Sequence, residues 1–99
     1  MITMIRSAST MPGKTFEYLG VAKEIEAVVK RVTGVEVTLA TVVGGDPSAV
    51  GYLGKLANLA DYEAAMVKLM GDADYRAIVK KGEHLIVPGS PRAQLWRHL

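Results

Sequence analysis

Apolar and polar positions change period several times along this chain, and each change marks an element. The first run, ITMIRSAST over 2–10, is short, rich in β-branched and small residues and without helical spacing. It predicts a strand with Met4, Arg6 and Ala8 on one face. Pro12 and Gly13 break it, and from Phe16 to Thr33 the period becomes helical. At 100° per residue Tyr18, Val21, Ala22, Ile25, Val28, Val29 and Val32 share one side, while Glu17, Lys23, Glu24, Lys30 and Arg31 point away. An amphipathic helix of about five turns follows, with Glu26 and Lys30 at i, i+4 spacing on its flank and Gly34 placed to end it.

The strongest strand pattern begins at once after that glycine. Val35, Val37, Leu39, Thr41 and Val43 fall on one face at period two, and Glu36, Thr38, Ala40 and Val42 on the other. Gly44 to Ser48 (GGDPS) supplies turn residues, and Ala49 to Leu56 forms the returning strand of a hairpin. Asn58 is then a good N-cap, with Asp61 and Glu63 where a helix start favours negative charge. Tyr62, Met66 and Leu69 or Met70 recur at helical spacing, Gly71 and Asp72 interrupt, and Tyr75, Ile78 and Val79 resume. A kink or short break is expected at Gly71. Leu85 to Val87 reads as extended, Pro88, Gly89 and Pro91 as a loop, and Ala93 to Leu99 as a last strand.

The order strand, helix, strand, strand, helix, strand predicts an α+β, ferredoxin-like βαββαβ domain with a four-stranded antiparallel sheet. Right-handed crossovers put both helices on one side and leave the other face bare. Thr38, Ala40, Val42, Met4 and Ala8 are expected on that bare face, with Arg6 among them. A face of roughly 350 Å² in projection, largely apolar or neutral, is large for a monomer to leave in water. A two-fold homodimer with sheet against sheet is the simplest cover.

Composition narrows the class further. Ninety-nine residues make one domain, 1–99, and 49% apolar against 22% charged is the balance of a folded globule. Without cysteine there is no disulfide or thiolate chemistry. No apolar run is long enough to span a membrane, and the first ten residues lack the layout of a signal peptide, so a cytoplasmic protein is expected. Twelve basic residues against ten acidic ones, spread along the chain, give +2 with no basic stripe, and no nucleic acid partner is expected.

Three segments carry a resemblance. Met1 to Lys14 reads M-I-x-x-I-R-S-x-S-x-x-P-G-K, Gly51 to Ala64 reads GYLGKLANLADYEA, and Gly71 to Arg76 reads GDADYR. Together they resemble the opening, the third strand with its helix start, and the mid-helix segment of NIPSNAP-type domains in the dimeric α+β barrel superfamily. Gly54 and Leu56 stand where that family commonly carries aromatic residues. The resemblance implies a homodimeric barrel with a small-molecule cavity between each sheet and its helices or loops. The superfamily includes cofactor-independent antibiotic-biosynthesis monooxygenases, haem-degrading enzymes, isomerases and ligand-sensing domains, so the fold leaves function open.

Candidate chemistry is sparse. Arg6, at the centre of an otherwise small and apolar strand, could hold a carboxylate or enolate; the alternative is a salt bridge to Glu36 across a dimer. Glu36, Thr38 and Tyr52 are the groups on neighbouring strands that could share a pocket with it. Tyr52 and Trp96 could line a pocket for a planar ligand or pack in core or interface. His84 and His98 are the only imidazoles, and His98 is a pocket candidate beside the chain end. No metal-ligand spacing and no phosphate-binding loop occurs, so neither metal nor cofactor is expected. No nucleophile, base and orienting group stand at workable spacing, and no catalytic residue is assigned. Two readings follow. One is a cofactor-independent oxygenase or isomerase acting on an apolar or aromatic metabolite. The other is a non-enzymatic metabolite-binding or structural, stress-related dimer.

Overall fold

The computed structural model describes residues 1–99. In chain order the elements are β1 (Ile2–Ser9), α1 (Thr15–Thr33), β2 (Val37–Thr41), β3 (Ala49–Leu56), α2 (Leu59–Met70), α3 (Ala73–Gly82), a 3-10 turn (Glu83–Leu85) and β4 (Arg92–Arg97). The four strands form one antiparallel sheet in the order β2-β3-β1-β4, which is the ferredoxin-like α+β arrangement. No helix is long and apolar enough to cross a membrane.

Local chemistry accounts for most boundaries. Helix α1 ends at Gly34, whose φ of 76° is left-handed and whose N–H donates to the Lys30 carbonyl at 2.9 Å. Asn58 caps α2 by accepting from the Asp61 N–H at 2.8 Å. The interruption at Gly71 is a full break, because Asp72 caps a new helix by accepting from the Tyr75 N–H at 2.8 Å. The same carboxylate meets Arg31 of α1 at 3.4 Å, and Asp74 meets that guanidinium at 3.3 Å, so the start of α3 is tied to the end of α1. On the flank of α1, Lys30 reaches Glu36 at 2.9 Å instead of Glu26.

The hairpin between β2 and β3 is looser than a tight reversal. Its strands stop at Thr41 and resume at Ala49, and Asp46 organises the connection by accepting from the Ser48 N–H at 2.9 Å and from the hydroxyls of Ser48 and Ser9. Those bonds, the Ser48 hydroxyl foremost, hold its carboxyl below the usual carboxylate range. The stretch Leu85 to Val87 is only partly extended. Leu85 closes the 3-10 turn, and Ile86 and Val87 dock on the end of β1 through a bridge to Thr10 and a 2.8 Å bond from the Val87 N–H to the Ser9 carbonyl.

Register decides which face each residue occupies, since directly opposed residues of an antiparallel pair share a face. Met4 lies opposite Gly54 and Leu95, Arg6 opposite Tyr52 and Ala93, and Val37 opposite Gly54. Val50 and Tyr52 pack with Tyr18, Val21 and Ala22 of α1, which makes this the helix-covered face. Met4, Arg6 and Ala8 therefore point under the helices, contrary to the expectation that placed them on the bare side. The bare face carries Thr3, Ile5 and Ser7 of β1, Gly51, Leu53 and Lys55 of β3, Thr38 and Ala40 of β2, and Gln94 and Trp96 of β4. Buried side chains gather in two groups, Tyr18, Val21, Ala22, Val50 and Leu85 at one end and Met4, Val37 and Leu56 at the other, with Tyr52 packed against both.

Candidate functional site

Between the helix-covered face and the helices lies a cavity of about 350 Å³. Its floor is made by Met4, Arg6 and Ala8 of β1, Val37 of β2 and Tyr52 and Leu56 of β3. Its roof comes from Tyr18, Val21 and Ile25 of α1, Tyr62, Met66 and Leu69 of α2, and Tyr75 and Val79 of α3. The helices stop short of β4, whose six residues are all exposed. Ala8 and Ala93 contribute minimal side chains to the lining.

Polar groups enter this apolar space at few points. The Arg6 guanidinium donates from Nη1 to the Tyr62 hydroxyl at 3.3 Å and to the Met66 sulfur at 3.4 Å, and takes part in none of the chain's ion pairs. The contact to the phenol is long and a thioether sulfur is a weak acceptor, and both partners are neutral, so neither discharges the cation well. Beside it, the hydroxyls of Tyr18 and Tyr52 meet at 3.4 Å. Burial, followed by the Tyr18 hydroxyl, pushes the Tyr52 phenol well above its ordinary value of 10.0, so it stays protonated at any physiological pH. Glu83 and Arg92, both exposed, stand at the rim.

The structure brings together Arg6 and Tyr52 among the residues the sequence singled out, as direct cross-strand neighbours in the cavity floor. The other four lie elsewhere. Glu36 is exposed and paired with Lys30, whose bond to it lowers its carboxyl below the usual 4.5. Thr38 is exposed on the bare face opposite Leu53. Trp96 is 60% exposed on the same face opposite Thr3, with its indole N–H donated to Gln94 Oε1 at 3.3 Å, so it belongs to neither core nor cavity. His98 meets the Thr3 hydroxyl and sits outside the lining, as does the exposed His84.

Four lining residues escape sequence reasoning. Periodicity puts Tyr18, Tyr62, Met66 and Tyr75 at helical spacing and singles out none of them for a pocket, yet all four line the cavity, which with Tyr52 thereby holds every tyrosine in the chain. One signal is present in the residues. Each tyrosine sits on the inward stripe of its element, and a phenol placed inward needs a polar partner that an ordinary core does not offer.

The site can therefore bind an anionic oxygen at a guanidinium and offer phenolic hydroxyls beside it. No imidazole lines it, no cluster of three His, Asp or Glu side chains exists anywhere in the chain, and the sole lining carboxylate is Glu83 at the rim.

No family model matches the chain, and no curated protein does. Solved structures do. A NIPSNAP family protein from Agrobacterium tumefaciens superposes with a TM-score of 0.83 at 22% identity, over 99% of this chain and 92% of that one. A NIPSNAP domain protein from Burkholderia xenovorans gives 0.85 at 13% identity, over 100% and 95%. A candidate antibiotic biosynthesis monooxygenase from Nitrosomonas europaea gives 0.75 at 15% identity, over 100% and 99%. Across its whole length, then, this chain has the fold of NIPSNAP proteins and of antibiotic-biosynthesis-monooxygenase-like proteins.

Proposed function

We propose that the chain binds a small apolar or aromatic metabolite in the cavity beneath its helices, with an anionic or enolisable oxygen of that molecule at Arg6. The observation that carries this reading is a guanidinium lining an apolar cavity whose only side-chain partners are neutral, a phenol at 3.3 Å and a weakly accepting thioether at 3.4 Å, with no carboxylate paired to it. Withdrawing a charge from water is costly unless it is paired, and a ligand carboxylate or enolate is the natural counter-charge for the planar donor fork. A volume of about 350 Å³ suits a molecule of one or two fused rings.

A second reading, turnover as a cofactor-independent oxygenase or isomerase, is favoured by the same guanidinium. A fixed cation where negative charge would develop on an enolate oxygen lowers the barrier to forming that enolate. The name of the Nitrosomonas europaea neighbour points the same way. The reading also includes a cytoplasmic homodimer that closes the bare face of each sheet against its partner.

The test uses 2-naphthoate and its methyl ester as probes in titration calorimetry. The parent is expected to prefer the acid, and Arg6→Met to bind it about tenfold or more weakly, the usual worth of a charged hydrogen bond, while circular dichroism remains that of the parent. Equal affinity in parent and variant would overturn the assignment. For turnover, oxygen uptake with 1,4-dihydroxynaphthalene above its uncatalysed rate, lost in Arg6→Met, supports an oxygenase; a background rate supports binding alone.

A further inference from the structure

The cavity has a second polar point that the anion site does not use. Tyr18 projects from α1 and Tyr52 from β3, and their hydroxyls meet only each other, at 3.4 Å. The usual O–H to O distance is about 2.7–2.8 Å, so this is a loose contact. Two hydroxyls carry two protons, and one bond between them consumes one. The remaining O–H has no acceptor in the chain, although Tyr18 is 7% exposed and both residues line the cavity. An O–H left without an acceptor in apolar surroundings is costly. Burial holds the Tyr52 proton in place, so the pair offers a neutral donor and not a phenolate.

The position of this donor is fixed by the fold. Tyr52 is the direct cross-strand partner of Arg6. Arg6 leans toward α2, where Tyr62 and Met66 receive it, while Tyr52 leans toward α1, where Tyr18 receives it. A molecule lying across the floor would meet the cation on one side and the phenol pair on the other.

We infer that the metabolite carries a second, uncharged oxygen, a carbonyl or hydroxyl, that accepts a hydrogen bond from the Tyr18–Tyr52 pair, and that Tyr52 determines specificity for it. The ligand class is thereby narrowed from an apolar anion to an oxygenated aromatic or polycyclic acid or enol, with two oxygens set apart on one ring system. This inference rests on the binding reading above.

The experiment separates the two. The probes are 2-naphthoate and its 5-, 6- and 7-hydroxy isomers, measured by calorimetry on the parent, Tyr52→Phe, Tyr18→Phe and Arg6→Met. In the parent one isomer is expected to bind about fivefold to tenfold more tightly than 2-naphthoate, the gain from one neutral hydrogen bond. The ratio of the two affinities within each variant is the readout, so general loosening of the cavity cancels. In Tyr52→Phe the ratio falls to about one, in Tyr18→Phe it falls part of the way, and in Arg6→Met it persists while both affinities drop. If the parent binds 2-naphthoate but no isomer gains, or if the gain survives in Tyr52→Phe, the second oxygen is wrong and the anion site stands. If the parent binds none of the four, both readings fall together.

Discussion

Single residues in this protein are constrained by what stands a few ångströms away, and two glycines make the contrast. A Cβ built on Gly82, at the end of α3, would lie 2.8 Å from Cγ1 of Val21. Val21 is 6% exposed and β-branched, so it cannot turn aside cheaply. Gly82→Ala is expected to cost about 1–3 kcal/mol through overpacking of α3 on α1. Gly20 lies within α1, is exposed, and has nothing within 4 Å of the place a Cβ would take. Gly20→Ala should stabilise by about 0.5–1 kcal/mol, because alanine loses less backbone entropy in a helix. Urea midpoints of the two variants should thus move in opposite directions; a Gly82→Ala variant as stable as the parent would show that the helices separate freely.

At the scale of elements, the division of the second helical segment shapes the cavity, because α2 and α3 each present their own inward tyrosine, Tyr62 and Tyr75. Asp72 creates that division. Its carboxylate caps α3 at the Tyr75 N–H and also meets Arg31, and its side chain is only 20% exposed. Asp72→Ala is expected to destabilise by about 1–2 kcal/mol, mostly through the lost cap, with the half-exposed ion pair contributing less than about 1 kcal/mol. Asp72→Asn keeps an acceptor for the Tyr75 N–H and should recover most of the loss. Chemical denaturation of the two variants checks this, and a parental midpoint for Asp72→Ala would mean that the break is held by packing alone.

Over the whole molecule, the unsolved problem for a single chain is its bare sheet face. Ile5, Ala40, Leu53 and Trp96 lie on it, with Leu53 37% and Trp96 60% exposed. Its membership differs from what the sequence implied, since Met4, Arg6 and Ala8 belong to the other side, Val42 lies beyond the end of β2, and Ile5, Leu53 and Trp96 take their place. Burial of the face in a two-fold pair is still the simplest way to remove Trp96 and Leu53 from water. Light scattering at micromolar concentration should return twice 10.6 kDa. Trp96 is the single tryptophan, so its emission should shift to shorter wavelength as concentration rises, and Trp96→Arg should shift the equilibrium toward monomer. A clean monomer with unshifted emission would sink the pairing.

The order of elements was legible in the residues alone, because each depends on local chemistry. The inward stripe of α1, the stop at Gly34, the cap at Asn58 and the alternation through Val37 and Leu39 all act within a few positions of chain. Which residues of β1 share a face was equally legible, since period two groups Met4, Arg6 and Ala8 without reference to anything else. Which side of the sheet that face addresses was not. It depends on the pairing of Arg6 with Tyr52 and of Met4 with Gly54, contacts between residues about fifty positions apart, and a one-residue change of register would reverse it. For the same reason the sequence could nominate Arg6 and Tyr52 but not separate them from Glu36, Thr38, Trp96 and His98. Only the tertiary structure, by stacking three helices on one face of the sheet, turned a mid-strand arginine and four scattered tyrosines into the lining of a single cavity.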